Sequence, residues 1–192
     1  MSTRNEAASD EIAKPPDHSH GAPTVSIVVP CYLEEQALPR TIQVLSAFRL
    51  SCVNEGLISA RSEILFVDDG STDGTWAVIA DAHARDRSIR GLRLSRNCGH
   101  QNALVAGMEE SAGDFVITID ADLQDDVGVM RDMILDARRG VDIVYGVRRR
   151  RTTDSFFKRT TAEFFYRLMR LFGIDLVFNH ADYRGMSRRA LQ

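Results

Sequence analysis

Four carboxylates and an amide fall within seven positions at Asp120-Ala121-Asp122-Leu123-Gln124-Asp125-Asp126. They follow directly on the apolar run Phe115-Val116-Ile117-Thr118-Ile119. Oxygen donors grouped in this way suit Mg²⁺ or Mn²⁺, which take a few carboxylates, keep water and share the remaining positions with substrate phosphates. Asp120, Asp122 and Gln124 are the candidate ligands. The plainer reading is that Asp120 or Asp122 caps the next helix. A cap accounts for one acid and leaves the group unexplained.

These residues need a scaffold that brings them to one place. The run at 115–119 is short, β-prone and bounded by Gly113-Asp114, which reads as a buried strand with the acids at its carboxyl end. Residues 25–29, 63–67, 91–94 and 142–145 read as strands too. The first should stop at Pro30, which cannot serve a central ladder. Helical patterns follow at 34–50, 75–85, 100–111 and 129–139, with Glu34, Glu35 and Pro39 suited to the first turn of the first helix. Alternating strands and helices predict an α/β fold, a Rossmann-like mostly parallel sheet with helices on both faces. In such a sheet the loops holding Pro30-Cys31-Tyr32-Leu33-Glu34, Asp68-Asp69-Gly70-Ser71, Asp120–Gln124 and Arg148 meet at one edge, where ligands bind.

The bulk properties restrict the class. The chain has 192 residues, 44% of them hydrophobic, and a net charge of −3, enough for one domain with a full core. Cys31, Cys52 and Cys98 have no metal-ligand spacing and predict free thiols in a reducing compartment. Residues 1–23 are polar, lack a signal-peptide apolar region and read as a disordered tail. From Arg148 to Arg170 eight basic residues and two acids give a local +6. Phe157, Phe164, Phe165, Leu168 and Phe172 recur among them at helical spacing. Residues 152–173 therefore read either as a basic amphipathic helix on an anionic membrane surface or as a core-packing helix with a solvated face. A basic stretch beside an acidic remainder does not make a nucleic-acid module. No Gly-x-Gly-x-x-Gly follows the first strand, which excludes a dinucleotide fingerprint.

Val67-Asp68-Asp69-Gly70-Ser71-Thr72-Asp73-Gly74-Thr75 followed by Asp120-Ala121-Asp122-Leu123-Gln124-Asp125 resembles the family 2, GT-A fold glycosyltransferases. Within them it is most similar to the polyprenyl-phosphate sugar transferases, the dolichyl-phosphate mannose synthases and their bacterial undecaprenyl-phosphate relatives. Segments 25–35, 64–75, 93–107, 113–124, 142–148 and 182–189 carry the likeness. It implies a catalytic domain over 24–192, incomplete at its carboxyl end. It implies a nucleotide pocket lined by Pro30, Tyr32, Glu34, Val67 and Asp69, with Asp68 in support and Ala121 beside the nucleotide. Asp120, Asp122 and Gln124 would hold Mg²⁺ or Mn²⁺ and the donor diphosphate, and Arg148 would contact phosphate. Asp182 matches an acid near the reaction centre, with Arg184 its neighbour, while His100 and Gln101 fix a loop.

The implied activity is inverting transfer of a sugar from a UDP-sugar or GDP-mannose to a polyprenyl phosphate, with Asp122, Asp182 and Arg148 at the chemistry. The setting would be cytoplasmic, peripheral at the cytoplasmic face of the membrane, without nucleic acid and with a homo-oligomer allowed. A second reading keeps nucleotide-sugar and metal binding and drops turnover. Three departures from the family pattern stand out: Leu33 in place of Asn, Asp126 and Gly128 in a loop otherwise rich in Pro, and Gly185 in place of an apolar residue.

Overall fold

A computed structural model describes residues 21–147 and 180–192. The apolar runs build one sheet from β1 (Val25–Cys31), β2 (Glu63–Asp68), β3 (Ile89–Arg93), β4 (Phe115–Thr118), β5 (Ile143–Val147) and β6 (His180–Ser187). Their order is β3-β2-β1-β4-β6-β5. β1 pairs in parallel with β2 and with β4, and β2 with β3. Those four carboxyl ends thus share an edge. β6, which composition alone did not mark as a strand, runs antiparallel between β4 and β5. Its Asp182, Arg184 and Gly185 interrupt the apolar pattern, and both partners supply the pairing from far away in sequence.

Alternating side chains split the core between two faces. On one face α1 (Leu38–Asn54), α2 (Thr75–Arg85) and α4 (Val129–Arg138) bring Leu45, Ile79 and Met133 against Ile27, Phe66 and Ile117. On the other, α3 (His100–Glu110) seats Ala103 and Leu104 over Val28, Val67 and Val116. Each fully buried side chain of this kind contributes about 1.5–3 kcal/mol. A short α5 (Arg188–Leu191) ends the chain. The Arg188 guanidinium donates to the carbonyls of Met108, Ser111 and Gly113 and ties this end to the turn between α3 and β4.

Of the boundaries that differ from the sequence reading, two shape the site. Pro30 does not end β1, which continues to Cys31 with Pro30 opposite Val67. The last β4 link to β1 is the Ile119 N–H to the Val28 carbonyl. Pro30, two residues on, faces the side that β4 has left, so its missing N–H breaks no ladder bond. α1 begins at Leu38, not at Glu34; the Glu34 and Glu35 N–H groups go to Thr75 Oγ1 (2.9 Å) and Asp73 Oδ2 (3.3 Å), which ties the turn before the helix to the loop after β2. Pro39 sits in the first turn, where its missing N–H is harmless.

Candidate active site

The loops after the four parallel strands enclose a cleft of about 310 Å³ at the carboxyl edge. The end of β1 contributes Pro30 and the loop after it Tyr32 and Glu34, and the loop after β2 contributes Asp69. Asn97 and Gly99 come from the loop after β3, His100 from the start of α3, and Asp120, Ala121 and Asp122 from the loop after β4.

Hydrogen bonds fix each loop to its neighbours. The Leu33 N–H donates to Ser71 Oγ (3.0 Å), and the Gly74 N–H to Glu35 Oε2 (2.9 Å), so the first two loops are stitched together. Leu33 stands at φ 57°. This is the left-handed region where Asn is far more comfortable than Leu, which explains what the family's Asn does at that position. Asp68 is fully buried, accepts from the Ser71 N–H (2.9 Å) and lies 3.3 Å from Arg93 Nε. Asp69 spends both oxygens on backbone, taking the N–H of Cys98 (2.7 Å) and of Gly99 (2.9 Å). It thereby holds the start of α3 against the cleft. Gly70, at φ 68°, lets the two loops touch: a Cβ there would lie 2.3 Å from the Arg96 carbonyl carbon.

In the acidic loop, Asp120 Oδ1 stands 3.6 Å from His100 Nε2, and Asp122 Oδ1 accepts the Gln124 N–H (3.1 Å). Leu123, at φ 54°, turns the chain away, and Gln124 is exposed and outside the cleft lining. Neither Asp120 nor Asp122 caps α4, whose N-cap Gly128 has no side-chain cap; Asp126 accepts the Gly128 N–H (2.8 Å) in the turn just before the helix. The Tyr183 hydroxyl of β6 donates to the Asp126 carbonyl (2.8 Å) and anchors the far end of the loop.

The cleft is acidic. Glu34, Asp69, Asp120 and Asp122 line it, and no Lys or Arg does among the described residues. Burial, then the negative charges of Asp122 and Asp73, push the Glu34 carboxyl above its ordinary range. Burial, then Glu34 and Asp68, likewise push the Cys31 thiol up, so it stays a protonated, buried, free thiol as expected. Two carboxylates at the cleft suit a cation that also takes phosphate oxygens. Among the described residues no cluster of three or more His, Cys, Asp or Glu forms a complete protein cage.

Of the expected site residues, the structure brings Pro30, Tyr32, Glu34, Asp69, Asp120, Ala121 and Asp122 together. Val67 is not in the lining: it packs in the core under α3 with Val28, Ala103 and Leu104. Asp182 lies near the start of β6. Because β6 is antiparallel, that end reaches the same edge as the cleft. Arg148 and the 152–173 segment lie outside the described residues, as do positions 1–20 of the expected tail. Asn97, Gly99, His100 and Ala103 were not expected to line the pocket, yet β3 is parallel to its neighbours. The loop at its carboxyl end had to arrive at this edge as well.

This sheet is that of the GT-A glycosyltransferases. The mannosyl-3-phosphoglycerate synthase of Rubrobacter xylanophilus superposes with a TM-score of 0.63 at 22% identity, over 86% of this chain and 53% of that one. The glucosyl-3-phosphoglycerate synthase of Mycobacterium tuberculosis, solved with Mn²⁺, uridine diphosphate and glucosyl-3-phosphoglycerate, gives 0.57 at 20%, over 87% and 57%. The sequence model of Glycosyl transferase family 2 matches residues 26–192, and the chain belongs to that family. The uncharacterized glycosyltransferase YkoT of Bacillus subtilis (strain 168) is 52% identical over 172 residues, 88% of this chain and 51% of that protein. The prophage bactoprenol glucosyl transferase homolog of Escherichia coli (strain K12) is 37% identical over 169 residues, 88% and 53%. The chain spans about half the length of the curated relatives it matches.

Proposed function

We propose that this chain binds a UDP- or GDP-linked sugar in the cleft, with Mg²⁺ or Mn²⁺, and serves its inverting transfer to a polyprenyl phosphate. The carrying observation is the charge of the cleft, four lining carboxylates with no Lys or Arg beside them among the described residues. A nucleoside diphosphate enters such a place only with a cation between the two sets of charges. The Mn²⁺ and uridine diphosphate of the Mycobacterium tuberculosis enzyme support this reading of the donor. The Escherichia coli relative, named for bactoprenol, supports a polyprenyl acceptor.

Asp120 and Asp122 would hold the cation, with Gln124 contributing the backbone N–H that orients Asp122. The bound cation supplies Lewis-acid stabilisation of charge on the departing diphosphate. Pro30, Tyr32 and Glu34 flank the nucleotide, and Asp69 holds Asn97 and His100 toward it. Arg148 is assigned to phosphate and Asp182 to orienting the acceptor. A phosphomonoester has its second pKa at about 6 and is mostly dianionic at neutral pH. Its oxygen therefore attacks the anomeric carbon with little need of a base, and nucleoside diphosphate leaves from the opposite face. The basic and aromatic residues of 148–173 favour a place on the cytoplasmic face of an anionic membrane. No helix among the described residues is long and apolar enough to cross one.

Calorimetric titration of UDP-glucose and GDP-mannose, with Mn²⁺ and again with EDTA, tests the reading. The expected result is metal-dependent binding of one donor that is lost in Asp122→Ala. Binding indifferent to both EDTA and Asp122→Ala would overturn it. Mixing the bound chain with polyprenyl phosphate separates transfer from binding alone.

A further inference from the structure

We infer that Thr41, on α1 and 80 residues before Ala121 in sequence, is the positioning residue that aims Asp122 into the cleft. The inference rests on the reading of Asp120 and Asp122 as the donor-binding acids. Thr41 is 1% exposed, and its Oγ1 lies 2.5 Å from the carbonyl oxygen of Ala121. The second acceptor in reach, the Ala37 carbonyl, is 3.3 Å away and already takes the Thr41 N–H. A hydroxyl has one proton, so it goes to Ala121.

That bond matters because of where it falls. Ladder pairing with β1 ends at the Ile119 N–H, and the next backbone link in the loop, Leu123 N–H to Asp120 carbonyl, is long at 3.5 Å. Between them the peptide joining Ala121 to Asp122 sets the direction of the Asp122 side chain. Thr41 fixes that peptide by its carbonyl. A buried carbonyl without a partner is costly, so removing the hydroxyl frees the peptide to rotate toward another donor. Thr→Val keeps the shape and removes only the hydroxyl, whereas Thr→Ser keeps the hydroxyl.

Amide hydrogen exchange on the unliganded chain, comparing wild type, Thr41→Val and Thr41→Ser, is the test, paired with Mn²⁺–UDP calorimetry on each. In Thr41→Val, exchange at Asp122, Leu123 and Gln124 should rise on the order of 10-fold, the size of one lost hydrogen bond, with β1 and β2 unchanged. Mn²⁺–UDP affinity should fall by about the same factor. Thr41→Ser should restore both. Unchanged exchange in the loop, or a rise shared equally by β1 and β2, overturns the inference. Should Thr41→Val fail to fold, Thr41→Ala against Thr41→Ser carries the same comparison. Failure of wild type to bind Mn²⁺–UDP would remove the donor-binding reading, and the exchange data would still decide the role of Thr41.

Discussion

Glu63 opens β2 at the edge opposite the cleft and shows how single charges hold this fold. Its Oε1 accepts from Ser26 Oγ (2.8 Å) and the Ala112 N–H (3.0 Å), and its Oε2 pairs with Arg90 (3.0 Å). Burial pushes its pKa up, but these donors together outweigh burial and hold it below the ordinary 4.5. A depressed carboxylate contributes stability above its unfolded value, and the contribution is lost as pH falls through the folded one. Glu63→Gln should therefore cost about 1.5–3 kcal/mol at pH 7, as for a hydrogen bond to a charged group. The gap to wild type should narrow from pH 4.5 downward, which urea denaturation across that range measures. A gap that stays constant would assign the effect to packing. Asp68 and Asp69 show the same use of buried carboxylates at the other edge, where each holds backbone N–H groups of the loops.

At the scale of elements, α3 decides how closely the cleft wall approaches the sheet. Gly107 faces the strands, and a Cβ there would lie 2.4 Å from Val28 Cγ1 and 2.7 Å from Val67 Cγ2. Both neighbours are β-branched and cannot turn aside cheaply. Gly107→Ala gains about 1 kcal/mol of helix propensity yet overpacks the contact. A net loss of about 1–2 kcal/mol in chemical denaturation is expected, and a gain would show that α3 can lift off the sheet. Gly185 on β6 has a similar cause, since the Phe115 ring occupies the space a Cβ would need, at 2.5 Å. The apolar side chain that the family carries there is replaced by Phe115 from the adjacent strand.

For the whole molecule, the cleft belongs to no single element, so a ligand filling it should brace the fold. With Mn²⁺ and UDP at about 100 times Kd, linkage adds roughly 2.7 kcal/mol and raises Tm by about 5–10 °C for a chain of this size. Differential scanning fluorimetry measures this, and EDTA or Asp122→Ala should abolish the rise. A rise that survives both would place the ligand elsewhere. The loops that meet at the cleft come from β1, β2, β3 and β4, spread over about half the chain in sequence, and only parallel pairing brings them to one side.

The amino-acid sequence determined β2 and β4 to within one residue at one end, the helix Thr75–Arg85 and the convergence of Tyr32, Asp69 and Asp122, because apolar period and turn residues are local signals. It determined the buried state of Cys31 for the same reason. Four features were left to tertiary structure. Pro30 stays in β1 because β4 has already departed, and β6 is a strand because two others flank it. Val67 is buried in the core because α3 covers that face of the sheet with Ala103 and Leu104. Thr41 meets Ala121 only when α1 packs across the end of β4. Each depends on a partner supplied from elsewhere in the chain, and no local pattern records where that partner will lie.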